Sequence, residues 1–231
     1  STTVNKQQIN QVKSVAVVGF SVIQDSGNPI QHVHNVTESD DFTAHLATDF
    51  YRSFTQTFAK SMNVKTLSME QVINNSYYQQ LHEKYAGVKK LSFVIGKTYR
   101  AEGMLSGQGF FQLSPTERTE LAKALGVDSV IGLESMLYKG ESMGFSVIKV
   151  GSSDIKFRVT VTDYEQYDNH SVEPIVDISN FVGETPSDSY ESLTVNVGND
   201  AWDLSKPDRK ALVAAVSTVA EGLAKEIKTA D

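Results

Sequence analysis

The chain has 231 residues, of which 40% are hydrophobic and 21% charged, with no cysteine and a formal net charge of −7. A chain of this length buries roughly 70% of the surface that it exposes when unfolded, and its composition excludes disordered, collagen-like and coiled-coil proteins. The lack of cysteine excludes disulfides, thiolate zinc sites, iron–sulfur clusters and a cysteine nucleophile, and no run approaches the ~20 apolar residues of a membrane helix.

The first residues are polar, and they lack both a starting Met and the apolar stretch of a signal peptide. They predict a flexible N-terminal segment over residues 1–12, followed by a single α/β domain over residues 13–231. A polar start of this kind also follows the lipid-bearing cysteine of a bacterial lipoprotein, so a trimmed lipoprotein would begin in the same way.

The first half of the domain predicts alternating strands and helices. Residues 13–23 form a valine-rich run that is typical of a buried strand, and residues 64–67 predict a second, short strand. Ser68 and Gln71 fit a capping box, which begins another helix. The helix between the two strands has an apolar residue at every fourth position and is expected to lie on a sheet: Phe42, Leu46, Phe50, Phe54 and Phe58.

The middle of the chain contains a second αβ unit. Residues 89–111 have no single period, and their glycines indicate a loop. Ser114 and Glu117 form another capping box, Gly126 provides a left-handed helix end, and a strand over residues 127–138 follows at once. A helix that turns directly into a strand is typical of a layered α/β domain.

After residue 127 the pattern changes to an antiparallel meander. Strands are predicted at residues 145–150, 155–164 and 172–182, and a long polar loop precedes the last helix. The apolar stripe of that helix predicts that it covers the sheet. The predicted fold class is therefore α/β, with a mixed sheet, helices packed on it and α+β character in the C-terminal half.

Acidic residues are concentrated in one interval of the chain. No Lys or Arg lies between Arg158 and Lys206, and ten acids lie there, from Asp163 to Asp203. This distribution argues against a nucleic-acid partner, because nucleic-acid binding needs a basic face. The acids do not follow the calcium-loop pattern, so a solvated, self-repelling edge is favoured over a cation site.

Two well-known catalytic patterns, the P-loop and H-E-x-x-H, are absent from the sequence. The acids nearest to apolar strands are Glu102, Asp128 and Glu134; Asp128 fits a turn, and Glu134 is expected to face outward. His32 and His34 fall short of the three or four ligands that zinc takes. We therefore expect no catalytic residue, no metal site and no cofactor.

Exposed apolar loop residues are the best lead to a binding surface, because flexible Met and aromatic side chains flanked by glycine suit protein recognition. The alternative is that these side chains fold back onto the core. The partner-binding candidates are Met104, Phe110, Phe111, Met143 and Phe145.

Four stretches, taken together in order, resemble one family. They are K-S-V-A-V-V-G-F at 13–20, N-V-K-T-L-S-M-E-Q-V at 63–72, L-A-K-A-L-G-V-D-S-V-I-G at 121–132, and the strand at 155–164. They resemble the curli-secretion lipoprotein (CsgG-like) family and its relatives. Those relatives are the penicillin-binding-protein-activator lipoproteins and the N-terminal domain of the Tol-system propeller protein.

The resemblance implies a non-catalytic accessory or assembly protein of the bacterial envelope, which binds other envelope proteins. It implies a periplasmic location, with an N-terminal lipid anchor in the outer membrane as the sole contact with a membrane. It leaves open whether the protein forms homo-oligomers. Two alternatives remain. One is a small-ligand-binding protein, or a hydrolase-type enzyme with a pocket acid, and the other is a divalent-cation binder through residues 159–205.

Overall fold

The computed structural model describes residues 1–25, 40–87, 96–140, 156–179, 195–197 and 210–231. In these ranges the strands form one eight-stranded sheet. The strands are β1 (Thr2–Val4), β2 (Ser14–Asp25), β3 (Lys65–Thr66), β4 (Gly96–Tyr99), β5 (Ser129–Gly140), β6 (Lys156–Asp168), β7 (Val176–Ser179) and β8 (Val195–Val197). The helices are α1 (Lys6–Ile9), α2 (Asp40–Met62), α3 (Met69–Ile73), α4 (Ser76–Tyr85), α5 (Gly107–Phe111), α6 (Pro115–Leu125) and α7 (Lys210–Thr229).

The sheet is mixed and has the strand order β1-β7-β6-β5-β2-β3. β2 is parallel to both of its neighbours, β3 and β5, whereas β5, β6, β7 and β1 are successively antiparallel. β4 pairs with the end of β2, and β8 pairs with β6. The predicted fold class, with an antiparallel meander after residue 127, is confirmed; the strand predicted at 145–150 lies outside the described residues.

α2 covers one face of the sheet with the aromatic stripe that the sequence predicts. Phe50, Phe54 and Phe58 are buried. The ring centroid of Phe54 lies 6.1 Å from that of Phe20 in β2, and the Phe58 centroid lies 5.9 Å from that of Tyr164 in β6. Large rings therefore fill the space between helix and sheet.

α7 lies beside α2, and the two helices are joined by polar contacts. Ser53 Oγ donates to the Val213 carbonyl at 3.0 Å and lies 2.7 Å from Ser217 Oγ. The buried side of α7 faces the core, as predicted for a C-terminal helix that covers the sheet. Its described core residues are Val216, Val219, Leu223 and Ile227.

α5 lies against the opposite face of the sheet at very short range. A Cβ at Gly132 of β5 would lie 1.9 Å from Cδ1 of Phe110, and a Cβ at Gly19 of β2 would lie 2.5 Å from Cβ of Phe110. These positions must therefore lack a side chain for α5 to approach. The Phe110 ring also packs 6.0 Å from the ring of Tyr167.

Local signals begin and end the shorter helices. Both predicted capping boxes, at Ser68 and at Ser114, are present, and Gly126 ends α6 with φ at 68°. One difference concerns the helix predicted after Ser68. Asn75 interrupts it, because its side chain accepts a hydrogen bond from the Tyr78 amide at 3.0 Å and begins a new helix, α4.

Two segments that the sequence predicts to be irregular form regular structure. Within residues 1–12, β1 pairs with β7 at the edge of the sheet, and the Asn5 amide donates to the Ile175 carbonyl at 2.8 Å. The structure thus places a strand and a short helix, β1 and α1, in the N-terminal segment that the sequence predicts to be flexible. Between residues 107 and 111, where glycines indicate a loop, Ser106 caps the short helix α5.

Candidate ligand-binding site

A cavity of about 330 Å³ lies at the end of the sheet where β2 begins, between α1 and the C-terminal ends of α2 and α7. We call it the basal cavity. An engineered cavity of about 150 Å³ is enough to bind benzene, and small-molecule pockets start near 300 Å³. Its apolar lining has a buried floor and a partly buried wall: Val12, Val15, Phe58 and Ile227 form the floor, and Ile9, Met62 and Val64 form the wall.

The mouth of the basal cavity is positively charged. Lys13 Nζ donates to the Asn10 carbonyl at 3.3 Å, and Lys228 Nζ donates to the Ser61 carbonyl. Lys228 lies in the last turn of α7 and contacts the last turn of α2, where its positive charge offsets the partial negative charge of the helix ends. Among the described residues, the charged side chains that line the cavity are three exposed lysines: Lys6, Lys13 and Lys228.

Gln166 of β6 is the buried polar residue in the lining, with 1% of its surface exposed. Its Nε2 donates to Ser129 Oγ at 2.8 Å, and its Oε1 accepts from the Tyr164 hydroxyl at 2.8 Å. These bonds fix the amide within the floor. The cavity thus combines an apolar interior, one oriented amide and a cationic mouth, which is a usual composition of small-molecule sites.

On the opposite face of the sheet, the structure places Glu134 of β5 in the interior, with 1% of its surface exposed. This corrects the expectation that Glu134 faces outward. Its Oε2 accepts from Gln108 Nε2 at 3.0 Å, and its Oε1 lies 3.5 Å from Ser21 Oγ, which accepts from the Gly107 amide. The start of α5 covers this carboxylate. The alternation of side chains along a strand indicates which face a residue lies on, but not whether another element covers that face.

Further acids lie beside Glu134 on this face. In the strand register, Asp163 is opposite Glu134, and Asp177 is opposite Glu165. Burial, together with the Asp177 charge, raises the pKa of Glu165, although the Tyr167 hydrogen bond opposes this rise. Burial and the Asp163 charge raise the pKa of Asp177. These neighbouring carboxylates therefore oppose one another's ionisation.

In the part of the chain that the structure describes, no group of three or more His, Asp or Glu side chains is placed so that it could hold a metal ion. His32 and His34 lie outside the described residues. So does much of the acidic interval 159–205, namely residues 180–194 and 198–205.

Arg118 joins α6 to the chain that follows β6. Its guanidinium carbon lies 3.8 Å from the ring centroid of Tyr167, and its nitrogens donate to the carbonyls of Leu113 and Val172 at 2.6 and 3.2 Å. The Tyr167 hydroxyl in turn donates to Glu165 at 2.7 Å. This buried arginine therefore links α6 to β6 and to the segment that follows β6.

Asp128 also has a structural role. Its Oδ2 accepts from the backbone amides of Lys13 and Ser14 at 2.8 and 3.1 Å, and Ser14 Oγ accepts from the Asp128 amide at 2.9 Å. Asp128 and Glu134 are six residues apart along an extended stretch of chain, so roughly 20 Å separates them. Glu102 is exposed. The structure does not bring the three candidate acids into one pocket.

The apolar residues predicted to anchor a protein partner do not all lie on the surface. Met104 and Phe110 are buried with 0% exposure, so the structure corrects the expectation that they lie on the surface. The glycines at positions 19 and 132 make room for Phe110 within the core. Phe111 is partly buried, and Met143 and Phe145 lie outside the described residues.

Comparison of this chain with known protein families, with curated proteins and with solved structures finds no match. The likeness to the CsgG-like family therefore depends on the four sequence stretches alone. No helix within the described ranges combines the length and apolar character needed to cross a bilayer.

Proposed function

We propose that this chain is a non-catalytic binding protein and that the basal cavity holds a small ligand. One observation carries the proposal: a space of about 330 Å³ has a floor of buried apolar side chains and a mouth of exposed polar ones. A ligand that removes this apolar floor from water gains about 25 cal/mol for each Å² that it covers. The lining is thus suited to a molecule with an apolar part.

A neutral apolar dye, N-phenyl-naphthylamine, tests the proposal. Its fluorescence is expected to rise when it enters the cavity of the unaltered chain. The substitution Ile9→Trp places a larger ring in the cavity wall and is expected to abolish that rise. Gln7→Trp is the matched control, because Gln7 is exposed on the same helix and does not line the cavity.

The comparison is made on variants whose melting temperatures show that they fold. Equal dye fluorescence for Ile9→Trp and Gln7→Trp would place the dye elsewhere, and no rise with the unaltered chain would mean that the cavity binds no apolar molecule. Either result contradicts the proposal.

A second candidate is an accessory or assembly protein of the bacterial envelope, lipid-anchored in its full-length form and acting by binding envelope proteins. What supports it is the resemblance of the four stretches, together with their positions as neighbours in one sheet. Residues 14–20 belong to β2, which pairs with both β3 and β5, and β5 pairs with β6.

Fractionation of native cells that express the full-length protein tests this second candidate. The expected result is recovery in the outer-membrane fraction with incorporation of labelled fatty acid. Cross-linking in those membranes should then identify the same envelope protein in repeated experiments, but not in cells that lack this chain. Recovery in the cytoplasmic fraction without label would contradict the envelope role and leave the cavity proposal intact.

A further inference from the structure

We infer that the ligand of the basal cavity is a small anionic amphiphile, which has an apolar body and one terminal carboxylate or phosphate group. The inference rests on the proposed function, because it names the ligand class for the same cavity. It follows from how charge and burial are distributed over the lining.

The positive charge of the lining indicates that the ligand carries a negative charge. Lys6, Lys13 and Lys228 come from α1, from the residue before β2 and from the last turn of α7, yet all three line one cavity. An ammonium group has three N–H donors. The bonds from Lys13 to Asn10 and from Lys228 to Ser61 each use one of them, so donors remain for an anion at the mouth.

Burial sets the orientation of the ligand. Val15, Phe58 and Ile227 on the floor are buried, whereas the three lysines are exposed. The apolar body is therefore expected to lie on the floor, with the anionic group at the mouth. Met62 lies in the wall between the two zones, and its flexible side chain can adapt to bodies of different shape.

The buried amide of the lining favours an apolar body as well. Both polar atoms of the Gln166 side chain already have protein partners, Ser129 and Tyr164. An apolar body on the floor therefore leaves neither of these two atoms without a hydrogen-bond partner, and the charged groups of the lining are confined to the mouth.

Three probes with the same chain and different end groups test the ligand class: decanoate, decanol and decylamine. Each is titrated against the bound neutral dye, below its own aggregation concentration. Each exposed ion pair changes affinity by about two- to fivefold, so the lysines together are expected to favour decanoate over decanol by about tenfold. Decylamine should bind most weakly, and added salt should weaken decanoate alone.

A double variant, Lys6→Gln with Lys13→Gln, tests whether these lysines cause the preference. It should weaken decanoate by about fivefold, which is the share of two lysines in a tenfold preference given by three, and leave decanol unchanged. Lys228 is kept, because it also caps the end of α2 through Ser61. The control, Lys123→Gln with Lys225→Gln, removes the same charge outside the lining and should change neither affinity.

The outcomes separate the inference from the proposed function. Equal binding of decanol and decanoate, with the dye displaced by both, overturns the anionic ligand class while the cavity remains a binding site. Failure of the dye itself to bind overturns both. Sedimentation with phosphatidylglycerol vesicles is measured in parallel: binding to vesicles without binding of monomeric decanoate would indicate a membrane surface and would overturn the inference.

Discussion

The ring of Phe110 occupies the space that a side chain at Gly132 would need, since a Cβ there would lie 1.9 Å from Cδ1 of that ring. We expect Gly132→Ala to lower the free energy of unfolding by about 1–3 kcal/mol, because a close-packed core must move to admit a methyl group. Denaturant unfolding measures the loss. Gly87→Ala is the control, because a Cβ at Gly87 meets no atom within 4 Å.

The same relationship predicts a coupling between the two positions. Phe110→Ala alone should cost about 3–5 kcal/mol as a buried large-to-small change. In that background, Gly132→Ala should cost less than it does alone, because the ring that it would meet is gone. Additive losses would show that the ring and the glycine do not compete for one space.

Some of this fold can be predicted from the sequence because its signals are local. The spacing of Phe50, Phe54 and Phe58 predicts a helix face, since neighbours four apart share one side of a helix. Capping at Ser68 and Ser114 involves atoms only three residues apart. These features do not depend on what lies elsewhere in the chain.

Other features depend on contacts between distant residues. Phe110 lies in a glycine-rich stretch typical of a loop, but the glycines that admit its ring, Gly19 and Gly132, are on two other elements. The edge pairing of β1 uses backbone groups of residues 2–4 and 176–178, which carry no sequence signal of partnership. A local pattern cannot indicate either contact.

The basal cavity could not be predicted for the same reason. Its lining residues are scattered within 6–15 and 58–64 and at 166, 227 and 228, and they meet only when the two long helices and α1 surround the beginning of β2. Separate lysines in a sequence indicate a solvated surface. Their common position at the mouth of one cavity becomes evident in three dimensions.

Two buried tyrosines provide a graded test of the contacts around β2. The Tyr78 hydroxyl donates to the Val18 carbonyl and accepts from the Leu105 amide at 2.8 Å, whereas the Tyr51 hydroxyl donates to the Val17 carbonyl at 2.7 Å. Each buried group that loses its partner costs about 1–3 kcal/mol. Tyr78→Phe should therefore destabilise the chain more than Tyr51→Phe in denaturant unfolding; the reverse order would contradict these roles.

Asp128 is expected to stabilise the parallel pair of β2 and β5 through two backbone amides, those of Lys13 and Ser14. Asp128→Ala should cost about 1–3 kcal/mol, and Asp128→Asn should cost less, because the amide oxygen still accepts a hydrogen bond. Thermal unfolding compares the two variants. Exposed Glu83→Ala is the control for removal of one acidic charge. An equal loss there would contradict a specific role of Asp128.

The pairing of Glu165 with Asp177 predicts a pH-dependent stability. Burial and then the Asp177 charge raise the pKa of Glu165, while the Tyr167 hydrogen bond limits this rise. In the pH range between the ordinary and the raised pKa, the folded chain binds more protons than the unfolded chain, so this contribution to stability falls as pH rises. Glu165→Gln keeps an acceptor for Tyr167 and removes the charge.

We therefore expect Glu165→Gln to be more stable than the unaltered chain at neutral pH, by about 0.2–1 kcal/mol, which is the usual effect of charges opposite one another on neighbouring strands. The difference should disappear as pH falls below the ordinary pKa of glutamate, because the carboxyl group is then protonated in both states. Melting temperatures over this pH range measure it, with exposed Glu173→Gln as the control. A stability gain that is independent of pH would show that repulsion between Glu165 and Asp177 is not its cause.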